Sequence, residues 1–488
     1  MLNRLRTLFS DSVIYGLSGV ISRFIGIFLV PVYTRLFTPE DYGVLSLVGS
    51  SLAVVSIFVG LGLDNSAHRW FWDTEDEQDR RTTISSWAWC QLITATVFGA
   101  LVFASAHYLS RRIIGRADAA VYFQIAAVTV PLTVLGTVAN NWFRMQRRPW
   151  ATTVYALGTN LLIVALTLVL VVALRRGLSG VYTAQAIGLG VGSVIAAFIL
   201  RDWISPRLID LSRLRQMLRY ALPLIPAGLA YWVTGFADRY FVKAYTDTAQ
   251  VGLYSVGSSL AAGVALVTGA FQQAWGPFAL SIHTQSDARR TYATVFLFYL
   301  WFAGMISAAL SLFAPEILRL LATKQYAGAS PVVGVLALSY VMIGLTYIAA
   351  TGPAIAKRTG PTGIAMAGAA ILNVILNFAL VPTFGKVGSA VATLIAQALT
   401  PIYLFYRSQQ LYRIPYRFGA GVAIVLATLI LIAAGAQLNV PSLALSILVK
   451  LGLLALFVPM FFVLELATIG QVRRLVSSMI VRFRGVQA

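Results

Sequence analysis

Long apolar runs alternate with short polar breaks along the whole chain. A helix needs about 20 mostly apolar residues to cross the hydrocarbon core of a bilayer. Runs of that length predict fourteen membrane helices, at 11–34, 43–63, 82–105, 118–139, 150–174, 179–200, 218–238, 250–278, 291–313, 331–355, 361–382, 385–406, 418–435 and 443–465. The longest breaks, such as 64–81, 201–217 and 314–330, leave no room for a separate soluble domain.

Composition supports this interpretation. The 488 residues are 58% hydrophobic and 11% charged, with a mean hydropathy of +0.79. A globular chain carries about 25% charged residues. The sequence therefore predicts an all-α polytopic membrane protein and excludes disordered, nucleic-acid-binding and disulfide-rich secreted classes. The single cysteine, Cys90, cannot form an internal disulfide.

The basic residues predict an orientation. The formal charge is +20, from 37 basic and 17 acidic residues. With the N-terminus inside, 24 basic residues fall on cytoplasmic segments and 11 on outer segments. Cytoplasmic loops of membrane proteins carry such an excess. We therefore expect both termini in the cytoplasm.

The chain also contains an internal repeat. Three pairs of segments match at a nearly constant offset: VGSSLA at 48–53 and 256–261, Arg147-Arg148 and Lys357-Arg358, and Gly177-x-x-Gly180 and Gly385-x-x-Gly388. The repeated unit holds six helices, so both copies have the same orientation in the membrane. This predicts an N-terminal lobe (1–200), a cytoplasmic linker (201–217), a C-terminal lobe (218–406), and two further helices with a tail (407–488). Helices 1, 2, 7 and 8 are expected to line the cleft between the lobes.

Arg23 is the most informative charge. It lies twelve residues after Asp11, which is about 18 Å along a helix at 1.5 Å per residue. A central arginine costs roughly 2.5–3.5 kcal/mol on insertion scales. It therefore needs a wet cavity, where it binds an anion, or a buried acid in a structural ion pair. Both alternatives stay open.

Other polar residues lie on or near the helices expected to line the cleft. The candidate substrate-binding residues are Arg23, Arg35, Asp64, Arg69, Asp238, Arg239 and Gln272. Asp64 or Asp238 could instead bind a coupling proton or cation, and all these charges have an alternative as ordinary helix-end groups. Lys450 is expected to snorkel to the outer surface. The three histidines have no metal-ligand spacing, and no phosphate-binding loop motif is present. We expect no catalytic residue, no metal, no cofactor and no enzyme activity.

Several motifs together resemble one family of transporters. They are Tyr33-Thr-Arg-Leu-Phe-Thr-Pro-Glu-Asp-Tyr-Gly43, Leu222-Pro-Leu-Ile-Pro226, Asp238-Arg239, Gly360-Pro-x-Gly363, Asn373-x-x-x-Asn377 and Val381-Pro-x-x-Gly385-x-x-Gly388. The chain resembles the Wzx-type polysaccharide flippases (O-antigen and exopolysaccharide), within the superfamily of multidrug, oligosaccharidyl-lipid and polysaccharide exporters.

This resemblance implies a function. Such proteins move undecaprenyl-pyrophosphate-linked oligosaccharide repeat units from the cytoplasmic to the periplasmic leaflet of the bacterial inner membrane by alternating access. The cargo serves O-antigen, capsule or exopolysaccharide synthesis. The resemblance also implies a cationic cavity, with Arg23 and Arg239 as matching residues, and a lipid-tail groove at helices 13 and 14. Coupling to a proton gradient, a sodium gradient or the membrane potential is expected, and the sequence does not choose among them. A polymerase and a chain-length regulator are the expected protein partners, and no nucleic acid is expected.

Three alternatives remain. A lipid II flippase would share the fold and the cationic cavity. A multidrug exporter should prefer acids and aromatics in its site, because common drugs are cations, whereas the deep charge here is Arg23. A polytopic polymerase or glycosyltransferase needs a large catalytic loop, and no outer break is long enough.

Overall fold

The computed structural model describes residues 29–438 and 442–464. Every regular element in these two ranges is helical. The chain forms two compact units: the first comprises the described residues through Ser259 with Leu320–Ala329 and Met366–Ala396, and the second comprises Leu260–Arg319, Ser330–Ala365 and the described residues from Gln397 onward. The fold is that of an all-α, multi-pass membrane protein, as the sequence predicts.

The first unit contains most of the N-terminal helices. They are α1 (Pro39–Gly60), α2 (Leu63–Trp72), α3 (Glu77–Ala104), α4 (Ala106–Leu109), α5 (Ala120–Met145), α6 (Pro149–Thr167), α7 (Gly177–Ile199), α8 (Leu211–Ala221), α9 (Ile225–Trp232), α10 (Asp238–Tyr245) and α11 (Thr248–Ala261). Three π-helical turns extend or interrupt them: Ser110–Ile114, Leu168–Ala173 and Val233–Ala237. Short 3₁₀ turns occupy Pro206–Leu208, Leu222–Leu224 and Lys324–Ala329.

The second unit contains the remaining helices and shares one with the first. They are α12 (Gly263–Ile282), α13 (Ala288–Leu312), α14 (Ala314–Leu321), α15 (Ser330–Ala349), α16 (Thr351–Ile355), α17 (Gly360–Leu411), α18 (Phe418–Gln437), α19 (Leu443–Ala455) and α20 (Phe457–Val463). Helix α13 packs against α15 and α18. Trp275 of α12 donates from its indole nitrogen to the Tyr347 carbonyl, at 3.2 Å, and to the Thr351 hydroxyl, at 3.1 Å.

The predicted spans agree with these helices. Eleven helical stretches of the described chain are long and apolar enough to cross a membrane, and the bent pair α11 and α12 makes twelve. The 52-residue α17 is broken at Gly385 (φ 54°, ψ −136°), where the predicted spans 361–382 and 385–406 meet. The first predicted span, 11–34, lies mostly outside the described residues. The total of fourteen is consistent with this structure and stays a prediction.

Helix α1 begins where its sequence provides a cap. Thr38 accepts from the Asp41 backbone N–H at 3.2 Å, and Asp41 accepts from the Thr38 N–H at 3.1 Å. Pro39 at the first helical position lacks the N–H that would otherwise be unsatisfied. This capping box moves the start of the helix four residues before the apolar run at 43.

Positions that the predicted repeat matches share positive φ angles. Arg147 and Lys357 have φ of 51° and 56°. Gly177 and Gly385, the next matched pair, have φ of 57° and 54°. A residue with a side chain rarely adopts positive φ, so the agreement of Arg147 and Lys357 is the more informative. The repeat itself stays a prediction.

Candidate functional site

A buried ion pair lies where the π-helical turn Val233–Ala237 ends and α10 begins. Asp238 is only 4% exposed. Its Oδ1 accepts from the backbone N–H of Arg239 at 2.9 Å and from Nη1 of Arg239 at 2.9 Å. Its Oδ2 accepts from the Tyr254 hydroxyl. A buried carboxylate is tolerated only when it is paired and hydrogen-bonded, and both conditions are met.

Arg239 joins this pair to α1. Its side chain is 12% exposed, its Nε donates to Ser46 Oγ at 3.0 Å, and its Nη1 donates to the Gly235 carbonyl at 2.7 Å. The guanidinium carbon lies 5.2 Å from the Phe236 ring centroid. In this conformation the guanidinium is neutralised by Asp238, so it can pair with another anion only if that pair loosens.

Serines connect the two copies of the repeat beside this pair. Ser255 Oγ of α11 donates to Ser46 Oγ of α1 at 2.7 Å, a separation of 209 positions. Tyr240 and Ser51 share a hydrogen bond of 2.7 Å, and Trp232 donates to the Ser50 carbonyl at 2.9 Å. We call Ser46, Asp238, Arg239, Tyr254 and Ser255 the polar cluster.

Helices α1 and α11 touch at two glycines. A Cβ atom on Gly43 would overlap the Thr248 carbonyl oxygen, and one on Gly252 would overlap the Pro39 carbonyl oxygen. The two contacts are equivalent: Gly252 and Thr248 lie 209 positions after Gly43 and Pro39, the same separation as between Ser46 and Ser255. A local two-fold axis between the helices relates one contact to the other. The glycines therefore permit a close, locally symmetric crossing next to the polar cluster.

A second set of contacts surrounds the N-terminal end of α1. Arg116 forms ion pairs with Glu40 at 3.1 Å and Asp118 at 2.6 Å. These bonds raise the pKa of Arg116 and lower that of Asp118. Tyr326 donates to the Phe37 carbonyl at 2.9 Å, which fastens the Lys324–Ala329 turn to the same end.

An apolar cavity of about 280 Å³ adjoins the cluster. It is lined by Ser51, Leu52, Val54, Val55, Val102, Leu109, Ile113, Phe123, Trp232 and Tyr240. Two of these residues, Ser51 and Tyr240, already use their hydroxyls on each other. The cavity is therefore suited to apolar groups and not to a charged head group.

The structure separates the other predicted residues. Asp64 of α2 accepts from the Gln91 amide at 3.0 Å. Arg69 pairs with Asp73 on the exposed surface, where the side chains are 61% and 46% exposed. Arg35 is exposed before α1, and Gln272 is exposed on α12 in the second unit. Arg23 lies outside the described residues, so its role stays a prediction.

One sequence expectation is wrong. Lys450 does not snorkel to the surface; its side chain is 3% exposed, and Nζ donates to Glu316 Oε1 at 2.6 Å. Glu316 lies on α14, 134 positions away along the chain, so the sequence pattern could not pair them. Burial opposes ionisation of Glu316, but the Lys450 hydrogen bond outweighs it and holds the Glu316 pKa below its usual range.

Sequence reasoning also missed Ser46, Tyr254 and Ser255. The VGSSLA repeat begins two residues after Ser46 and directly after Ser255, which marked the region but not these side chains. Serine and tyrosine are common in membrane helices, so their type alone carries no signal. At the VGSSLA offset of 208, Ser46 matches Tyr254, and this polar pair is the signal that could have found those two residues, whereas Ser255 matches Leu47 and gave no such signal.

The helical architecture and the broken helices define an all-α, multi-pass membrane protein. The chain belongs to the polysaccharide biosynthesis protein family, which matches residues 8–283.

Comparison with individual proteins agrees with this assignment. The chain is 22% identical over 332 residues to the succinoglycan biosynthesis transport protein ExoT of Rhizobium meliloti (strain 1021). That match covers 64% of this chain and 61% of the relative. The chain therefore spans somewhat under two thirds of the relative's length. This relative is a transport protein, in agreement with the prediction that the chain is not an enzyme.

Solved structures share the fold. The lipid II flippase MurJ in its inward closed conformation has a TM-score of 0.72 at 14% identity, covering 92% of this chain and 99% of that one. An inward-facing multidrug resistance transporter of the MATE family has a TM-score of 0.63 at 16% identity, covering 84% of this chain and 96% of that one. The predicted superfamily fold is thereby confirmed.

Proposed function

We propose that this protein is an inner-membrane flippase for undecaprenyl-pyrophosphate-linked oligosaccharide repeat units. It moves them from the cytoplasmic to the periplasmic leaflet for O-antigen, capsule or exopolysaccharide synthesis. Family membership and the transport relative support the broad class. The observation that carries the finer proposal is the polar cluster, because it holds a buried guanidinium at the crossing of two helices from repeated halves of the chain.

Arg239 supplies the chemistry that the cargo needs. A guanidinium binds phosphate oxygens through two parallel hydrogen bonds, and a pyrophosphate offers several such oxygens. In the closed crossing, Asp238 occupies the guanidinium. Parting of α1 and α11 removes the Ser46 contact, and Arg239 then reaches an anion once its pair with Asp238 also loosens.

The same arrangement fits alternating access. In the predicted orientation, the N-terminal end of α1 faces the periplasm, and there α1 crosses α11 without a gap at Gly43 and Gly252. The contacts of Arg116 and Tyr326 fasten the same end. These contacts must open for release of the cargo outward. A coupling proton or cation would bind at Asp64 or Asp238.

Arg23 provides the test of the cargo. In a strain that depends on this protein for surface polysaccharide, Arg23→Ala should abolish the polysaccharide while membrane levels stay near normal. Arg23→Lys should restore only part of it, because an ammonium cannot reproduce the two-bond grip. Arg112→Gln, an exposed cation on the turn at Ser110–Ile114, is the matched control and should transport normally.

Three outcomes would contradict parts of the proposal, two for the role of Arg23 and one for the cargo. Normal polysaccharide with Arg23→Ala would remove Arg23 from the binding site, and loss of the protein itself would make it part of a structural ion pair. Complementation of a strain lacking its lipid II flippase, without restoring polysaccharide export, would assign the protein to the other cargo.

A further inference from the structure

Helix α8 opens a helical stretch too long for the membrane core. The stretch Leu211–Tyr245 has 35 residues. At 1.5 Å per residue it is about 52 Å long, whereas the hydrocarbon core is about 30 Å thick. Its apolar part begins at Ala221, and α8 carries Arg213, Arg215 and Arg219. Helix α8 therefore projects from the hydrocarbon into the layer of lipid head groups.

One face of α8 is committed to the protein. Met217 and Ala221 are fully buried against the first unit. Arg213 forms an ion pair with Asp79, and its Nη1 donates to the Thr83 hydroxyl at 2.9 Å. Asp210 caps the helix by accepting from the Ser212 N–H at 2.8 Å. This face holds α8 in place, and the opposite face of the helix does not take part in these contacts.

The opposite face is a basic groove with apolar walls. It encloses about 560 Å³ and is lined by Leu211, Leu214, Arg215, Leu218, Arg219 and Leu222. Arg215 and Arg219 are four positions apart, so their side chains are neighbours on one side of the helix. Leu211 is 74% exposed and Leu222 is 45% exposed. We call this surface the α8 groove.

Three acids near α8 form ion pairs with arginines outside the groove. Asp79 pairs with Arg213, Asp73 with Arg69, and Glu77 with Arg81. Within the described ranges, none of the ion pairs includes an arginine of the groove. Two adjacent guanidiniums without a carboxylate partner are complementary to an anion, and phosphate is the anion that matches their geometry.

We propose that the α8 groove binds an anionic phospholipid of the surrounding leaflet. The lipid phosphate lies between Arg215 and Arg219, and the upper part of its acyl chains lies along the exposed leucines. The position of α8 in the head-group layer favours a membrane lipid as the occupant, since anionic lipids are continuously present there. The site is separate from the polar cluster and does not depend on the identity of the transported cargo.

Lipid-specific fluorescence quenching tests this proposal. The full chain with Cys90→Ala and Ser212→Cys is labelled with bimane and placed in nanodiscs of mixed phosphatidylcholine and phosphatidylglycerol. In one sample the phosphatidylglycerol carries bromine on its acyl chains, and in a second sample the phosphatidylcholine does. The fraction of brominated lipid is the same in both samples. We expect phosphatidylglycerol to be enriched at the label on the order of tenfold, given the attraction of each arginine for an anionic lipid. Arg215→Gln with Arg219→Gln should bring the quenching ratio close to one.

Matched variants sharpen the result. Arg111→Gln with Arg112→Gln removes two other exposed arginines and should leave the ratio unchanged. Arg215→Lys with Arg219→Lys keeps the charge but not the two-bond geometry, so part of the enrichment should remain. Circular dichroism of each variant confirms that the helices are intact.

Three outcomes would overturn the proposal. Equal quenching by both lipids in the labelled parent would show no anionic preference, and quenching by neither would remove α8 from the membrane surface. If the lipids do not differ but inorganic pyrophosphate shifts the bimane emission, the occupant is a diphosphate head group instead. None of these readouts measures transport, so a failure here is distinct from a failure of the flippase proposal.

Discussion

Two buried ion pairs in this protein differ in how far apart their two residues lie along the chain. Lys450 and Glu316 lie 134 positions apart and join α19 to α14. Asp238 and Arg239 are neighbours in sequence, so the ion pair itself joins no distant helices, and the connection to α1 and α11 is made by hydrogen bonds to Ser46 and Tyr254. Both pairs carry the desolvation cost of buried charge. The first repays it as a tether between helices. For the second we propose a different reason for burial, which is the binding of an anionic cargo.

The side chains around the two pairs also differ. Lys450 faces the Phe313 ring at 6.0 Å and shares Glu316 with Ser446, whose hydroxyl donates at 3.1 Å. Asp238 and Arg239 lie among hydroxyls of Ser46 and Tyr254. Hydroxyls can exchange partners at little cost, since each both donates and accepts. The polar cluster can therefore rearrange more easily than the Lys450 pair, beside which Ser446 supplies a single hydroxyl.

The largest expected difference between the two pairs is in transport. Asp238→Asn with Arg239→Gln removes both charges without leaving either one stranded, so the protein should accumulate normally. Surface polysaccharide should fall on the order of 100-fold, as expected for loss of a buried charged contact. Glu316→Leu with Lys450→Met is the matched control and should transport near normally. Equal transport by the two double variants would show that the Asp238–Arg239 pair is no more important for transport than the Lys450–Glu316 pair.

A cross-link should separate a moving contact from a fixed one. Ser46 Oγ and Ser255 Oγ are 2.7 Å apart, so cysteines at these positions meet when the crossing is closed. With Cys90→Ala, the pair Ser46→Cys and Ser255→Cys should form a disulfide under oxidation and stop transport. Reductant should restore transport, and each single cysteine should be insensitive to oxidant. Undiminished transport by the oxidised, fully cross-linked protein would mean that α1 and α11 do not part.

The sequence predicted the helices well and the polar cluster only in part. Apolar runs report membrane helices directly, because every backbone polar group in lipid must be satisfied within a helix. Asp238 and Arg239 were found because charges are rare in such runs. Ser46 and Ser255 were not, because their importance depends on a helix crossing between residues 209 positions apart. Lys450 was misjudged for the same reason, since its partner lies on another helix.

Stability should respond most to a break in the Lys450 pair. Lys450→Met strands the Glu316 carboxylate and should destabilise the protein by about 3–5 kcal/mol. Adding Glu316→Leu should recover most of that loss, because an apolar pair of similar size is often as stable as the ion pair. Thermal unfolding in detergent measures both variants. A single variant as stable as the double would show that the pair is not a tether.

The smallest expected effect is a pH dependence that belongs to the tether alone. Because the pKa of Glu316 is lowered in the folded protein by its hydrogen bond to Lys450, despite partial burial, the folded state binds its proton more weakly than the unfolded state. The stability from this ionised carboxylate is fully present above the ordinary glutamate pKa of about 4.3 and is lost as pH falls through the lower folded value. Thermal unfolding of the parent should therefore decline below about pH 4 more steeply than that of Glu316→Leu with Lys450→Met, which has no carboxylate to protonate there. If the thermal stability of both proteins declines equally at low pH, the acid sensitivity comes from other groups. The Lys450 pair would then lack the pH-dependent contribution to stability that we expect from it.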